Sequence, residues 1–166
     1  MNFARIILFF LLVSCNNSTK IPDNFIGKVV GVKDGDTIEV LFEGKSQTIR
    51  LVDIDCPEKK QAFGSKAKQF TSDLCFGKEV NVESNGKLDR YKRILGTVYV
   101  ENKNLNQELV KAGLAWHYKK YSDKQIFAVL EQTARENKIG LWADSNPIAP
   151  WDFRPKRNDN EKKTSR

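Results

Sequence analysis

The stretch KDGDTIEVLFEGKSQTIRLVDIDCPE, residues 33–58, decides the fold and holds most of the chemistry. Within it, two alternating apolar runs, residues 37–43 and 47–52, lie on either side of Gly44 and Lys45. Alternation with a period of two around a glycine-containing turn predicts a β-hairpin.

The register of this hairpin decides which acidic residues meet. With Glu43 opposite Ser46, the two strands bring Asp36 opposite Asp53, two residues before Asp55. A β-bulge would shift this register by one residue. The pattern therefore predicts that acids distant in the sequence converge at one end of the hairpin.

Clustered acids around one arginine indicate phosphoryl chemistry. Carboxylates that lie close together repel unless a cation or a proton offsets their charge, and ligands that offer only oxygen suit Ca²⁺ or Mg²⁺. Arg50 alternates with Ile49 and Leu51, so it points away from the apolar row and can bind a phosphate bidentately. The residues alone leave open an acidic hairpin with ordinary turn chemistry, because Asp-Gly is common in turns.

The order of predicted elements matches an oligonucleotide-binding (OB) barrel. Five short strands are predicted at residues 25–32, 37–43, 47–52, 79–83 and 94–100, with helices at 65–76, 104–112 and from Ser122. Ser65 and Ser122 are predicted to cap their helices, and Gly77 and Gly113 to end theirs. The third helix is predicted to bury Ile126, Val129, Leu130 and Thr133. In such a barrel, the loops after strands one and four, here residues 34–36 and 84–91, face the ligand.

Several motifs resemble, in order and spacing, the staphylococcal nuclease (thermonuclease) family. They are DGDT at 34–37, IRLVDIDCPE at 49–58 and DRYKR at 89–93, followed by similar segments at 106–116, 122–137 and 139–153. The resemblance covers nearly the whole chain after residue 25. It implies an α+β fold: a five-stranded OB-fold β-barrel with three α-helices, in a nuclease domain at residues 25–153.

The resemblance also implies a role for each matching residue. Asp36, Asp55 and the backbone carbonyl of Cys56 match the family's Ca²⁺ ligands. Glu58 matches the proposed general base. The remaining matches are the phosphate-binding arginines, Arg50 and Arg93, and two residues near the nucleotide, Tyr91 and Tyr121.

The implied activity is a Ca²⁺-dependent endonuclease, acting as a monomer. It would cut single-stranded DNA and RNA with little sequence preference and leave 3′-phosphate ends. The alternative is a non-catalytic OB-fold lipoprotein that binds nucleic acid or protein. The enzyme is favoured because all five acidic and basic positions are present: Asp36, Arg50, Asp55, Glu58 and Arg93.

Some nearby residues have simpler interpretations. Asp34 is expected to support the turn rather than bind the ion, and Asp53 to cap the sheet edge. His117 is the only histidine, and it is expected to be an incidental side chain rather than part of a histidine-based metal site or catalytic triad. Lys92 replaces a glycine of the family motif, at a cost of ~1 kcal/mol if the backbone there has positive φ.

The sequence does not decide whether the two cysteines of the nuclease domain are oxidised or reduced. The best-known member of the family has threonine at the position of Cys56, although only the backbone carbonyl is needed there. Cys56 and Cys75 could pair as a disulfide in an exported protein, or stay as buried thiols.

The first 15 residues resemble the signal peptide of a bacterial lipoprotein. Arg5 precedes an apolar run at 6–13, and LVSC at 12–15 resembles a lipobox that ends in an acylated Cys15. We expect an exported, membrane-anchored protein facing the periplasm or the cell exterior; a plain secretory signal or an uncut anchor is the alternative. Residues 16–24 would be a spacer, and residues 154–166 a polar, disordered tail. The net charge of +7 suits nucleic acid or an anionic lipid surface equally.

Overall fold

The computed structural model describes residues 21–155. The predicted signal peptide, Cys15, most of the spacer and residues 156–166 lie outside the described residues. Within residues 21–155, no helix is both long and apolar enough to cross a membrane.

Strands and helices follow one another in nearly the predicted order. The strands are β1 (Asn24–Asp34), β2 (Thr37–Phe42), β3 (Lys45–Leu51), β4 (Ile54–Asp55), β5 (Glu79–Leu88), β6 (Ile94–Val100), β7 (Lys103–Asn104) and β8 (Trp116–His117). The helices are α1 (Gly64–Cys75), α2 (Leu105–Lys111), α3 (Gln125–Glu136), a 3₁₀ turn at Gly140–Ala143, and the short α4 (Pro150–Phe153).

A closed barrel forms the centre of the molecule. Strands β3, β2, β1, β5 and β6 are hydrogen-bonded in that order, and a parallel pairing of β3 with β6 closes the cylinder. Alternate residues of each strand are buried inside, as the period of two requires; they include Val29, Ile38, Ile49, Val82 and Val98. The predicted α+β OB barrel is confirmed, with α4 in addition to the three predicted helices.

The hairpin register differs from the prediction by two residues. Phe42 pairs with Lys45, so the turn consists of Glu43 (φ 48°) and Gly44 (φ 73°). Positive φ at both positions is typical of a type I′ turn, which matches the twist of the strands it joins. Pairing Glu43 with Ser46 was therefore wrong. A shift of two residues keeps every side chain on its predicted face, because the side-chain period is two.

The same shift changes how the acids meet. The backbone N–H of Leu51 donates to the carbonyl of Asp36 at 2.9 Å, so Asp36 does not face Asp53. Asp53 instead has φ 69° and forms an ion pair with Lys124 at 2.8 Å. The acids converge through the turn after β3 and not through strand pairing.

Two predicted serine caps are wrong. Helix α1 begins at Gly64 after Phe63 (φ 67°), with no side-chain cap. Helix α3 begins after Lys124, and the hydroxyl of Ser122 lies 3.1 Å from Nε2 of His117. The predicted glycine ends are confirmed, since the residues after α1 and α2 both have positive φ: Gly77 (77°) and Gly113 (61°).

The buried face of α3 was also predicted wrongly. Ile126 and Val129 are 46% and 50% exposed, and Thr133 is exposed as well, while Leu130 is partly buried. The face against the domain consists of Phe127, Glu131 and Ala134. Glu131 can be buried because Arg135, at 3.0 Å, and Lys119, at 3.6 Å, offset its charge.

Candidate active site

The turn between β1 and β2 is built around a glycine and two acids. The carboxylate of Asp34 accepts a hydrogen bond from the backbone N–H of Asp36 at 3.2 Å, which shapes the turn. A Cβ on Gly35 would lie 2.8 Å from the Cβ of Ala67, so only glycine lets helix α1 approach this closely. Asp34 thus supports the turn, as predicted.

Asp36 ties this turn to the chain after β4. Its Oδ2 accepts a hydrogen bond from the backbone N–H of Cys56 at 2.7 Å, and its Oδ1 accepts one from the hydroxyl of Thr37 at 3.2 Å. These contacts hold the acidic turn against the second acidic segment.

Arg50 lies between the two buried carboxylates. Its Nη2 is 3.1 Å from Asp36 and 2.8 Å from Asp55, while Nη1 donates to the carbonyls of Leu51 and Ile54. Burial lowers the pKa of Arg50, but the attraction of Asp36 and Asp55 outweighs it and holds the pKa above its ordinary value. The guanidinium is thus the fixed positive charge of the site.

Asp55 is fully buried and uses its two oxygens unequally. Oδ1 accepts hydrogen bonds from Arg50 at 2.8 Å and from Arg154 at 2.7 Å. Oδ2 is buried and has no hydrogen-bond partner within residues 21–155. Burial raises the pKa of Asp55, and the hydrogen bond from Arg154 counteracts part of that rise. An unpartnered buried carboxylate oxygen beside a second carboxylate is chemically suited to a hard cation.

The structure brings Glu58 to the same cluster through a residue that the sequence analysis missed. Nε of Arg154 donates to Oε1 of Glu58 at 2.5 Å, while Nη2 contacts Asp55. The prediction had assigned Arg154 to the disordered tail, beginning one residue after the domain. A signal was available, because Trp151 and Phe153 lie just before it and large aromatic residues favour packing on a domain.

Arg93 is held beside Thr37, the residue that follows the acidic turn. Its Nε donates to Oδ2 of Asp89 at 2.7 Å, and Nη1 donates to Thr37 Oγ1 at 3.3 Å. Because Thr37 also contacts Asp36, Arg93 is one side chain away from the carboxylate cluster. Lys92 has φ 62°, a conformation that strains a lysine and that the family's glycine would adopt without strain.

The two tyrosines contact different groups. Tyr91 is 63% exposed, and the guanidinium carbon of Arg93 lies 5.4 Å from its ring centre. Tyr121 is 70% exposed and packs edge-on against Tyr118, with ring centres 4.8 Å apart. The structure therefore places Tyr91 beside a predicted phosphate-binding residue, whereas Tyr121 packs on Tyr118, which in turn stacks on Trp151.

The remaining side chains are structural. Cys56 and Cys75 are both buried free thiols, so the structure shows no disulfide between them. Burial raises the pKa of Cys75 to about 12 and that of Cys56 well above its ordinary value. His117 is buried beside Phe127, away from any role in the carboxylate cluster.

Comparisons with known proteins agree with this geometry. A family model described as staphylococcal nuclease homologue matches residues 48–144. A Haemophilus influenzae protein named "uncharacterized endonuclease" is 43% identical over 152 residues, which cover 91% of this chain and 82% of the relative. A Shigella flexneri protein named "micrococcal nuclease" is 42% identical over 143 residues, covering 79% and 81% of the two chains. This chain belongs to the staphylococcal nuclease family.

Proposed function

We propose that this protein is a Ca²⁺-dependent endonuclease that hydrolyses single-stranded DNA and RNA to products with 3′-phosphate ends. The observation that carries the proposal is the position of Arg50, which joins Asp36 and Asp55 at 3.1 and 2.8 Å. Relatives named endonuclease and micrococcal nuclease support the reaction class.

The residues present fit a calcium ion. Asp36, Asp55 and the carbonyl of Cys56 would hold it, and Oδ2 of Asp55 is a buried oxygen with no hydrogen-bond partner in residues 21–155. Within residues 21–155, no group of three or more His, Cys, Asp or Glu side chains is arranged as a metal site. When bound, Ca²⁺ would supply positive charge to the phosphoryl oxygens.

The chain's own side chains divide the remaining work. The carboxylate of Glu58 accepts a proton from the attacking water, whose oxygen bonds to phosphorus as the bond from phosphorus to the 5′-oxygen breaks. The leaving 5′-oxygen takes up a proton from solvent. Arg50 already directs its two Nη groups at two carboxylates and two carbonyls, so it would donate to a phosphoryl oxygen through Nε–H or by exchanging one of these contacts. Arg93, oriented by Asp89, is the second arginine that stabilises charge on the phosphate. Tyr91 offers an exposed ring for a neighbouring base.

The test is digestion of a single-stranded DNA oligonucleotide by the full chain in detergent, with Ca²⁺ or with a chelator. We expect Ca²⁺-dependent cutting whose products resist polymerase extension until a phosphatase removes the 3′-phosphate. Arg50→Ala should reduce kcat by roughly 10²–10³-fold, the loss typical of one charged donor. Lys111→Ala removes a cation whose one ion pair within residues 21–155 is with Glu108, and it should leave cutting unchanged. A folded protein that binds the strand without cutting it would instead be a non-catalytic binder.

We also propose that the protein is exported and anchored by an acylated Cys15. The support is the charged, apolar and lipobox-like order of residues 1–15. Labelled palmitate should enter the wild-type protein in the membrane fraction and should not enter Cys15→Ser. Equal labelling of the two proteins would contradict the anchor.

A further inference from the structure

A C-terminal arm, residues 144–155, carries Arg154 to the carboxylate cluster. The ring of Trp151 stacks on Tyr118, with centres 5.3 Å apart and planes at 4°, and it meets Trp116 edge-on at 5.6 Å. Nε2 of Gln61 donates to the carbonyl of Ile148 at 2.6 Å. The arm is therefore anchored at two points before it delivers the guanidinium.

Arg154 is the hydrogen-bond partner of the Glu58 carboxylate. Within residues 21–155, the Glu58 side chain receives no other hydrogen bond, and it is partly exposed. Its backbone N–H donates to Oε1 of Gln61 at 3.0 Å, the same side chain that holds the arm. Arm and loop thus fix each other, and among the residues that the structure describes Arg154 alone fixes the direction of the Glu58 carboxylate.

The planar guanidinium sets the spacing of two carboxylates at once. Nε contacts Glu58 and Nη2 contacts Asp55 at 2.7 Å, in a fork that a lysine ammonium cannot reproduce. Arg154 and Arg50 both take Oδ1 of Asp55 and leave Oδ2 free. The contact is therefore compatible with a cation at Oδ2.

We propose that Arg154 is a positioning residue for hydrolysis: it clamps Glu58 at a fixed distance and direction from Asp55. This inference rests on the proposed function, since it assigns to Arg154 the orientation of the proposed base. It differs from two other roles that an arginine here could have. A substrate ligand would use its donors on phosphate, and an inhibitory latch would have to leave before the ion binds.

The test measures kcat, KM and Ca²⁺ affinity separately. We expect Arg154→Lys and Arg154→Ala to lower kcat by about 10²-fold, as misplacing a reacting group by about 1 Å does. KM should stay within about twofold, because ground-state binding is not lost. In a calorimetric titration without substrate, Arg154→Lys should keep the Ca²⁺ dissociation constant within about threefold, since it retains the positive charge and leaves Asp36, Asp55 and Arg50 in place. Lys111→Ala is the control for loss of one positive charge.

A double-mutant cycle tests whether Arg154 acts through Glu58. In a Glu58→Gln background, Arg154→Ala should lower kcat little further, because the group that it orients is already disabled. Trp151→Ala should produce a partial form of the same kcat defect with both carboxylates intact.

Other results would overturn the proposal. A raised KM with unchanged kcat would make Arg154 a substrate ligand. Ca²⁺ binding tightened by about tenfold or more, with turnover maintained, would make it a latch. If the wild-type protein cuts nothing, the proposed function fails, and the urea midpoints of Arg154→Ala, Glu58→Gln and the double variant still test the clamp. If the shifts in midpoint are not additive, Arg154 and Glu58 are coupled and the clamp exists whether or not the protein is an enzyme. If the shifts are additive, the clamp is refuted.

Discussion

The turn before Arg93 carries a side chain where the backbone favours glycine. Lys92 has φ 62°, in the left-handed region. Its N–H donates to the carbonyl of Asp89 at 3.0 Å, and the N–H of Arg93 donates to Oδ1 of Asp89 at 3.0 Å. The turn is therefore closed by Asp89 in spite of the strain at Lys92.

We expect Lys92→Gly to raise the free energy of unfolding by roughly 0.5–1 kcal/mol. Removing Cβ relieves about 1–2 kcal/mol of left-handed strain. The greater freedom of glycine in the unfolded chain offsets about 0.5–1 kcal/mol of this gain. In a chain of this length, the difference should raise Tm by about 1–4 °C. Thermal and urea unfolding, followed by circular dichroism in the presence of a chelator, would measure it.

Two other lysines provide matched controls. Lys138 also has positive φ (51°), so Lys138→Gly should stabilise the protein by a similar amount. Lys87 lies within β5 and is not among the residues with positive φ, so Lys87→Gly should destabilise it. Because the contacts from Asp89 remain in Lys92→Gly, its kcat should stay within about twofold of wild type. A gain in Lys138→Gly with none in Lys92→Gly would refute the strain at this turn.

Three further results should follow from the structure. Burial, and then the negative charge of Asp36, raise the pKa of Asp34 from 3.8 to about 6. The folded state thus binds the proton more tightly than the unfolded state does. The stability that this group contributes, at most about 3 kcal/mol, is present below pH 4 and is lost as the pH rises through 6. In urea titrations with chelator, Asp34→Asn should remove this fall of the unfolding free energy with pH, and an unchanged pH dependence would contradict the shift. Gly35→Ala should destabilise the fold by roughly 1–3 kcal/mol, because its Cβ would lie 2.8 Å from Ala67 and 2.9 Å from Cys56; an unchanged urea midpoint would show that helix α1 yields freely. Cys56 and Cys75 should resist a thiol reagent in the native protein, because burial raises the pKa of both thiols, and react after denaturation without reductant; no reaction then would indicate a disulfide.

Local patterns predicted the barrel well where one face of a strand is buried. β6 spans Ile94–Val100 as predicted, because its alternate residues point into the core. The face of α3 was predicted wrongly, because apolar residues there are exposed and Glu131 is buried. Hydrophobicity alone could not identify that face, since the buried charge depends on Arg135 from the next turn and on Lys119 from outside the helix.

The sequence by itself determined the family motifs, the acids and arginines they contain, and the barrel that carries them, because these depend on residue type and short-range spacing. Only the tertiary structure decided that Arg50 joins Asp36 to Asp55 and that Arg154 joins Asp55 to Glu58. Arg154 lies 99 residues after Asp55, and no local period extends so far. Its position depends on how Trp151 and Gln61 anchor the C-terminal arm, which is a property of the packed domain.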